Sequence, residues 1–534
     1  MTHFNDIKGA ATRREFLRRA TALSTVGAAA STFGIQLAAM GNAAAQTATN
    51  YKAVVCLFMF GGNDANNMVL ATDNDSWGRY FSARAQGNDP IALMPVGAAP
   101  VAIGAVSPIT NRTVLNRSFP EFWGGVLPLN NPLTPNPVPP TTSASVRTFG
   151  LNPHMTPLQA VWDGGRLAIA ANVGPLVVPT TKAQYQARSV RLPSNLMSHN
   201  DQQSTWQAGA AEGARRGWGG LMADAFLSQN GTNSVFTAMS TAGNAVFLAG
   251  SNVVQYQLST SQTTPAIRIN SAAANTTTVF GAANGGSRVR EIIRDLTGTS
   301  YFMQDYGARV IRSQDAADLL NAQFAAGSPG ATVAAPAQLT NPISGNLETN
   351  QLAVQLQSVA KIIAANSVLG VKRQVFFVSI GGFDTHDVQN ASQAPLMARL
   401  AHAMAYFDTA LANLNGINMR PQVTTFTASD FSRTFTTNGD GTDHAWGSHQ
   451  FVMGGDVRGQ NVYGNFPSIG VNVTNGFQNP DMSGNVFVPT MSTDQYGGTI
   501  ARWFGLSDTQ IASIFPNIPN FTSRYYDFLN AAIV

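Results

Sequence analysis

The chain has 534 residues, enough for one large domain or several, and 44% of them are hydrophobic, which is ordinary for a globular protein. Only 11% are charged, and the formal net charge is +4, whereas about 25% of an average chain is charged. Residues 1–45 hold five of the 32 basic side chains and two of the 28 acidic ones, so the remainder is nearly neutral. This balance argues against nucleic acid as a partner.

Residues 1–45 are predicted to be an export signal. The sequence Thr12–Arg18, TRREFLR, matches the twin-arginine pattern S/T-R-R-x-F-L-K except at its last position, and a weakly apolar stretch then leads to the small-residue cleavage site Ala43–Ala45. We expect the twin-arginine translocase to carry the mature protein, 46–534, to the periplasm or the medium. No later segment has the roughly 18 consecutive apolar residues of a membrane span, so no transmembrane segment is expected in the mature chain.

The run Ala53–Phe60 is apolar throughout, which is typical of a parallel strand buried on both faces. It contains Cys56, the only cysteine, which is predicted to be a buried hydrophobic residue. Two glycines and then Asp64 follow, so this carboxylate would project from the carboxyl end of the strand. An isolated Gly-Gly-Asn-Asp sequence is also typical of an Asx-turn or a helix cap, and either role stays open for Asp64.

A second strand is predicted at Leu167–Val173, after a loop excursion rich in Pro, Asn and Gly at about 87–147. The polar loop beyond this strand contains Ser194 and the sequence SHNDQQ, which is typical of a helix N-terminus. There the hydroxyl of Ser198 could cap the helix, or attack an anionic substrate held by the helix end. Residues 230–345 carry no recognisable chemistry and are predicted to be an insertion or an accessory subdomain.

From residue 350 the pattern alternates between helix and strand. An amphipathic helix around 352–363 precedes the strand Gln374–Ile380, and a second helix at about 396–414 precedes the strand 423–428. This rhythm predicts an α/β fold with a doubly wound, mostly parallel sheet and helices on both faces.

Acidic and imidazole side chains follow both of these strands. Asp384 and His386 come after the first, and the segment after the second contains Asp430, Arg433, Asp440, Asp443, His444 and His449. Carboxylates and imidazoles are ligands for ions such as Zn²⁺ or Mn²⁺, and arginine suits a phosphate or sulfate group. Because ligands of α/β proteins gather at the carboxyl ends of the strands, a metal site is predicted there.

A series of short motifs resembles a known family. The motifs GGNDANN, SHNDQQ with Trp206, GGFDTHDVQ, SDFSRT, GTDHAWGSHQ and VRGQNVYG occur in this order after the twin-arginine signal. They resemble the exported bacterial family called domain of unknown function 1501, over nearly the whole mature chain. That family is similar to the alkaline-phosphatase-like superfamily of phosphatases, sulfatases and cofactor-independent phosphoglycerate mutases. The resemblance implies a single alkaline-phosphatase-like domain at 46–534, with the long loops as insertions.

The resemblance also implies metal ligands. Asp64 resembles the first-strand ligand, and Asp384 with His386 resembles a D-x-x-x-H pair shortened to D-x-H. Asp430 stands where the superfamily has S-D-H, with Phe431 in place of the histidine. His444 would replace either the histidine of that S-D-H sequence or a later histidine of the superfamily, and His449 is the spare candidate. The full set of implied ligands is Asp64, Asp384, His386, Asp430, Asp443, His444 and His449.

By the same resemblance, the nucleophile lies at a helix start after the second strand, which favours Ser198 and then Ser194. Arg433 would neutralise the equatorial oxygens of the substrate, and His199 or His449 would act as general acid or base. One or two divalent ions (Zn, Mn, Fe or Ca) would polarise the ester. The expected function is an exported metal-dependent hydrolase or transferase acting on small phosphate or sulfate esters. The C-x-P-x-R signature of sulfatases does not occur.

Two other functions stay open. A non-catalytic envelope protein with the same fold could bind glycans or partner proteins through its long Asn/Thr/Ser loops. A hydrolase could instead use Ser198 with a histidine and an aspartate, without a metal ion. The first would lack a stoichiometric metal ion, and the second would keep its activity in EDTA.

Overall fold

The four strands predicted from the sequence belong to one central sheet. The structure, a computed structural model, describes residues 51–130, 147–266, 281–295, 300–468 and 482–530. The predicted signal peptide, 1–45, lies outside these residues. Contacts group Ala48–Val534 into one compact unit.

The strands are β1 (Lys52–Met59), β2 (Val69–Ala71), β3 (Leu127–Leu129), β4 (Phe149–Leu151), β5 (Leu167–Gly174), β6 (Ala238–Ser240), β7 (Tyr256–Gln257), β8 (Leu339–Thr340), β9 (Leu347–Glu348), β10 (Arg373–Ile380), β11 (Val423–Ser429), β12 (Ser448–Met453), β13 (Asn461–Tyr463), β14 (Met482–Ser483), β15 (Val486–Phe487) and β16 (Met491–Ser492). The α-helices are α1 (Asn74–Arg84), α2 (Pro120–Trp123), α3 (Thr156–Asp163), α4 (Lys182–Ala187), α5 (His199–Ala208), α6 (Trp218–Asp224), α7 (Gly285–Arg294), α8 (Tyr301–Ala322), α9 (Gln351–Ala364), α10 (Asn366–Leu369), α11 (Gln389–Leu411), α12 (Thr493–Phe504) and α13 (Asp508–Ile514).

In the described residues, the central sheet has nine strands. Their order is β13-β5-β12-β11-β1-β10-β6-β7, and β16 also pairs with β5. All of these pairs are parallel except those of β12, which runs antiparallel to both β11 and β5. β1 lies between β11 and β10, so the carboxyl ends of these three strands meet at one edge of the sheet. The mixed α/β architecture with a mostly parallel sheet is the one that the sequence predicts.

Helices cover both faces of the sheet, because successive strand residues point to opposite sides. The odd-numbered residues of β1 pack in a core with α9 and α11, and its even-numbered residues pack in a second core with α6 and α12. Cys56 belongs to the second core and is buried as predicted. This burial on two faces explains why the sequence of β1 is apolar throughout.

Most predicted elements match observed ones. The predicted strands correspond to β1, β5, β10 and β11, and the helices predicted around 352–363 and 396–414 correspond to α9 and α11. β12, which contains His449, is not among the strands that the sequence predicts. Within 230–345, β6 and β7 pair into the central sheet, so the predicted insertion supplies two strands of the sheet itself.

The predicted excursion at 87–147 is mostly irregular where it is described. Its regular elements there are α2 and β3, and β3 joins β4 and β2 in a small antiparallel sheet. Residues 131–146 lie outside the described ranges. Among the described helices, none is long and apolar enough to cross a membrane.

Candidate functional site

Two loops and one helix end meet at the carboxyl edge of the central sheet. The loop after β10 contains Asp384 and His386, and the loop after β11 contains Asp430 and His444. The helix α5 begins with His199, and the ring centroid of this histidine lies 4.5 Å from that of His444. Side chains from three distant parts of the chain are therefore neighbours here.

The backbone after β1 passes close beneath this site. Gly61 has a φ of +113°, and a Cβ at this position would lie 2.5 Å from the backbone nitrogen of Asp384. A Cβ at Gly62 would lie 2.3 Å from the ring of Phe431. Only glycine fits at these positions, because any other residue would displace the loops that carry Asp384 and Asp430.

One cluster of potential metal ligands occurs in the described part of the chain. It consists of His199, Asp384 and His444, whose ligand atoms all lie within 4.8 Å of one another. His386 adjoins the cluster, since its Nε2 lies 2.9 Å from Nε2 of His444 and 3.2 Å from Oδ1 of Asp384. The same Oδ1 lies 3.6 Å from Nε2 of His199 and 3.7 Å from Nε2 of His444. Three imidazoles thus converge on one carboxylate oxygen.

Each of these imidazoles uses its other nitrogen, Nδ1, outside the cluster. The Nδ1 contacts are His199 with Oδ2 of Asp430 at 2.7 Å, His386 with Oδ1 of Asp443 at 3.2 Å, and His444 with the carbonyl oxygen of Met197 at 2.8 Å. Carboxylate and carbonyl oxygens accept hydrogen bonds, so each Nδ1 carries the proton and donates it. In a neutral ring, Nε2 then has a lone pair directed into the cluster.

These lone pairs make the cluster suitable for a cation. Nε2 of His386 and Nε2 of His444 are 2.9 Å apart, and two lone pairs at that distance repel unless a proton or a metal ion lies between them. Histidines that bind metals usually donate their other ring N–H to a carboxylate or a carbonyl, as all three do here. Three imidazole nitrogens and one carboxylate also suit first-row ions such as Zn²⁺. The residues therefore fit a divalent ion.

Charges around the cluster favour the protonation states in which Asp384 and His444 can bind a metal ion. Burial raises the pKa of Asp384, but the hydrogen bond and the charge of Arg433 outweigh it, so this pKa lies below its ordinary value. Burial lowers the pKa of His444, and the positive charge of Arg433 lowers it further, although the hydrogen bond to Met197 opposes both. An ionised carboxylate and a neutral imidazole are the forms that bind a metal ion.

Arg433 is buried, and its guanidinium faces the protein interior. Its side chain donates to the carbonyl oxygens of Gly61, Gly62 and Thr442 and to the carboxylate of Asp384. The sequence predicts that Arg433 contacts the equatorial oxygens of an ester. In the structure it instead holds Asp384 against the loop after β1, so the contacts observed for it are those of a positioning residue.

Asp64, the predicted ligand from the first strand end, lies apart from the cluster. Its carboxylate is buried and pairs with Arg84 of α1, at 2.5 Å from Nη1 and 3.0 Å from Nη2. It also accepts from Nε2 of Gln389 at 2.6 Å and from the backbone nitrogen of Asn66 at 3.2 Å. The last contact is the helix-cap role that the sequence leaves open, and the ion pair fixes α1 to the end of β1.

Asp430 and Asp443 contact the histidines from outside the cluster. Besides His199, Oδ2 of Asp430 accepts from Gln203 at 2.8 Å and from the backbone nitrogen of Gly61 at 3.2 Å. Asp443 is exposed and accepts from Asn438 at 3.2 Å as well as from His386. Both aspartates are predicted as ligands, and the structure places them as the partners that orient two imidazole rings.

His449 belongs to β12 and lies in the core. Its ring stacks on Phe466, with the centroids 4.3 Å apart, and its Nδ1 accepts a hydrogen bond from the backbone nitrogen of Asn172 at 3.2 Å. Burial, with a smaller contribution from the charge of Arg147, lowers the pKa of His449 to about 3. The predicted roles as reserve ligand and as general acid or base do not suit a neutral ring packed in this way.

Ser198 occupies the N-cap position of α5 and directly precedes His199. Its hydroxyl makes no cap hydrogen bond and donates to Oδ2 of Asp201 at 2.9 Å. Ser194, the second predicted nucleophile, is exposed in the preceding loop. No hydrogen bond between either serine and an imidazole is seen in the described residues, so the pairing needed by a metal-independent serine hydrolase is not formed here.

Three residues that hold the predicted carboxylates in place have no role in the sequence-based prediction. Gln203 and Gln389 lie in the motifs SHNDQQ and GGFDTHDVQ, where they are not given a role, and they donate to Asp430 and Asp64. Arg84 lies in none of the motifs, and nothing in its local sequence indicates that it pairs with Asp64. Its position in α1 becomes informative only once the fold brings this helix to the end of β1.

Fold and site together define a mixed α/β protein with a histidine- and aspartate-lined site at the carboxyl edge of its sheet. The chain belongs to the DUF1501 family, since the model of that family, described as a protein of unknown function, matches residues 51–515. This match confirms the family that the motifs indicate. No curated protein matches the sequence.

Proposed function

We propose that the protein is an exported, metal-dependent hydrolase or transferase of phosphate or sulfate esters with an alkaline-phosphatase-like fold. The observation that carries this proposal is the arrangement of three imidazoles, each with Nδ1 held from outside and Nε2 directed towards Asp384. Its position at the carboxyl edge of the sheet, where α/β proteins bind their ligands, supports it further. The twin-arginine pattern supports a periplasmic or secreted location.

Each residue of the cluster has a distinct part in this proposal. His199, His386, His444 and Asp384 would hold the ion. When bound, a divalent cation acts as a Lewis acid towards an ester oxygen and makes a neighbouring hydroxyl group more acidic. Arg433 keeps Asp384 ionised and in place, because its Nη2 donates to Oδ1 of that carboxylate, the oxygen on which the imidazoles converge. Asp430 and Asp443 hold the rings of His199 and His386 in the tautomer that presents Nε2.

Ser198 is the proposed nucleophile, with Ser194 as the second candidate. Its hydroxyl is half-buried at the start of α5, where the free backbone N–H groups of the helix favour an anionic substrate group. The hydrogen bond to Asp201 orients this hydroxyl, and Ser198 directly precedes the cluster residue His199 in the chain. A phosphate or sulfate ester combines the negative charge and the transferable group that such a site can use.

Elemental analysis of protein exported by its native route, combined with assays of p-nitrophenyl phosphate and p-nitrophenyl sulfate, tests the proposal. We expect a stoichiometric divalent ion and turnover that is lost in His444→Ala, with the circular dichroism spectrum unchanged. His402→Ala is the matched control, because His402 is a half-buried residue of α11 outside the cluster. Turnover that persists in His444→Ala or in EDTA would contradict the metal-dependent mechanism.

One observation favours the non-catalytic alternative. Arg433 is the side chain predicted to bind the substrate anion. In the described residues its guanidinium donates hydrogen bonds to four acceptors within the protein. A protein that binds glycans or partner proteins would not need that group. Purified, folded protein that lacks a stoichiometric metal ion and turns over neither ester would favour this alternative.

A further inference from the structure

Given the metal-dependent function proposed above, we infer that the centre holds one ion of the zinc class, by which we mean zinc, iron, nickel or copper. We also infer that Arg84 takes the place of a second cation. Seven side chains are predicted as ligands from the sequence. Their contacts divide these seven into two groups. Asp384, His386 and His444 lie together, and they are joined there by His199, which the sequence predicts in another role. The other four, Asp64, Asp430, Asp443 and His449, accept hydrogen bonds from donors elsewhere in the protein. The first group accounts for one ion.

The carboxylate of Asp64 has no capacity left for a metal ion. An ionised carboxylate has about four sites that accept hydrogen bonds. Asp64 receives four donors: Nη1 and Nη2 of Arg84 at 2.5 and 3.0 Å, Nε2 of Gln389 at 2.6 Å, and the nitrogen of Asn66 at 3.2 Å. The side chains of Asp64 and Arg84 both have 0% exposure. The arginine charge therefore neutralises Asp64 without any bound ion.

Arg84 is itself held firmly in place. Its Nε donates to the carbonyl oxygen of Phe435 at 2.8 Å, and its Nη2 donates to that of Thr434 at 3.0 Å. The guanidinium carbon lies 5.8 Å from the ring of Tyr80 and 5.6 Å from the ring of Phe435. These contacts hold the guanidinium of Arg84 against the carboxylate of Asp64.

The other predicted ligands do not form a second centre either. Asp430 and Asp443 accept the Nδ1 protons of His199 and His386, and His449 accepts a backbone hydrogen bond in the core. Oδ1 of Asp430 is buried without a hydrogen-bond partner in the described residues. In the same part of the chain, however, the cluster of His199, Asp384 and His444 is the single group of three that could hold an ion, and it does not include Asp430.

The donor set also restricts the kind of ion. Three imidazole nitrogens suit zinc, iron, nickel or copper, whereas calcium takes about six to eight oxygen ligands and magnesium also prefers oxygen. The four converging side chains offer a single carboxylate, that of Asp384. The geometry therefore favours an ion of the zinc class and disfavours calcium, which the sequence leaves open.

Metal content measured on the full-length exported protein tests the count directly. One equivalent of a zinc-class ion is expected, and excess Ca²⁺ should not displace Zn²⁺ in a chelator competition. Two equivalents would overturn the inference while leaving the hydrolase proposal intact. Displacement of Zn²⁺ by Ca²⁺ would overturn the assignment of the ion, and protein without any metal would overturn both proposals.

A charge-neutral double variant tests the role of Arg84. In Asp64→Asn with Arg84→Met, both charges are removed together, and we expect one equivalent of Zn²⁺ with an affinity within about twofold of wild type, because these positions share no partner with the ligands. Loss of the ion from this folded variant would show that Asp64 is a ligand. His386→Ala is the contrasting variant and should weaken Zn²⁺ binding. If the double variant fails to fold, the stoichiometry of the wild-type protein still decides the count.

Discussion

Replacing Asp64 with alanine should destabilise the protein by about 3–5 kcal/mol, the usual cost of breaking a buried ion pair from one side. The structure explains this size, because Arg84 would remain without exposure and would lose both of its contacts with the carboxylate. Gln389 would lose its acceptor too. Hydrogen bonds to charged groups contribute about 1.5–3 kcal/mol each, while the two carbonyl contacts of Arg84 stay and limit the loss.

Urea unfolding, followed by tryptophan fluorescence and circular dichroism, measures this change. The control is Asp75→Ala on the same helix, where Asp75 pairs with Arg79 but is 32% exposed, and its loss should cost only about 0.3–0.5 kcal/mol. Asp64→Leu combined with Arg84→Met should recover most of the stability, because apolar residues can replace a buried pair. If Asp64→Ala costs no more than Asp75→Ala, the ion pair does not fix α1 to the sheet as described.

Three further predictions concern the site and the core. Asp430→Asn should weaken Zn²⁺ binding about 10–100-fold, the usual effect of losing a partner that orients a ligand, and chelator competition measures it; an unchanged affinity would contradict the role given to this residue. Gly61→Ala should weaken Zn²⁺ binding and lower the melting temperature more than Gly165→Ala, since both glycines have positive φ but only Gly61 has neighbours within 4 Å of a new Cβ; equal effects of the two would contradict it. The pKa of His449 is about 3 in the folded protein, against 6.5 in a model peptide. As the pH falls below 6.5, the unfolded chain therefore binds a proton that the folded protein does not, and the free energy of unfolding decreases until the pH reaches about 3. His449→Gln should therefore flatten the fall of the urea midpoint between about pH 6.5 and pH 4, and an unchanged slope would refute this assignment.

The sequence predicts the central strands well, because burial on both faces requires unbroken apolar runs such as that of β1. It misses β12, in which polar residues such as His449 and Gln450 are buried by their pairing with neighbouring strands and side chains. A short strand that places polar groups in the interior has neither the alternation nor the apolar run that the prediction depends on.

For the candidate site, the sequence identifies the right loops but not the direction of each side chain. Asp64, Asp384 and Asp430 all follow buried strands, and yet one pairs with an arginine, one faces three histidines and one holds a ring from outside. The partner of Asp430, His199, is 231 positions away in the chain. Local patterns carry no information on such pairings, since only the assembled sheet brings the partners together.

The side chains that converge at the site come from segments that are far apart in the sequence. His386 and His444 lie in loops and are 58 positions apart, whereas His199 begins the helix α5. An ion bound there would act as a crosslink that ties the start of α5 to the loops after β10 and β11. Chelation should then leave both hydrophobic cores intact while these loops become the first targets of a protease, so the metal would protect one edge of the molecule from degradation.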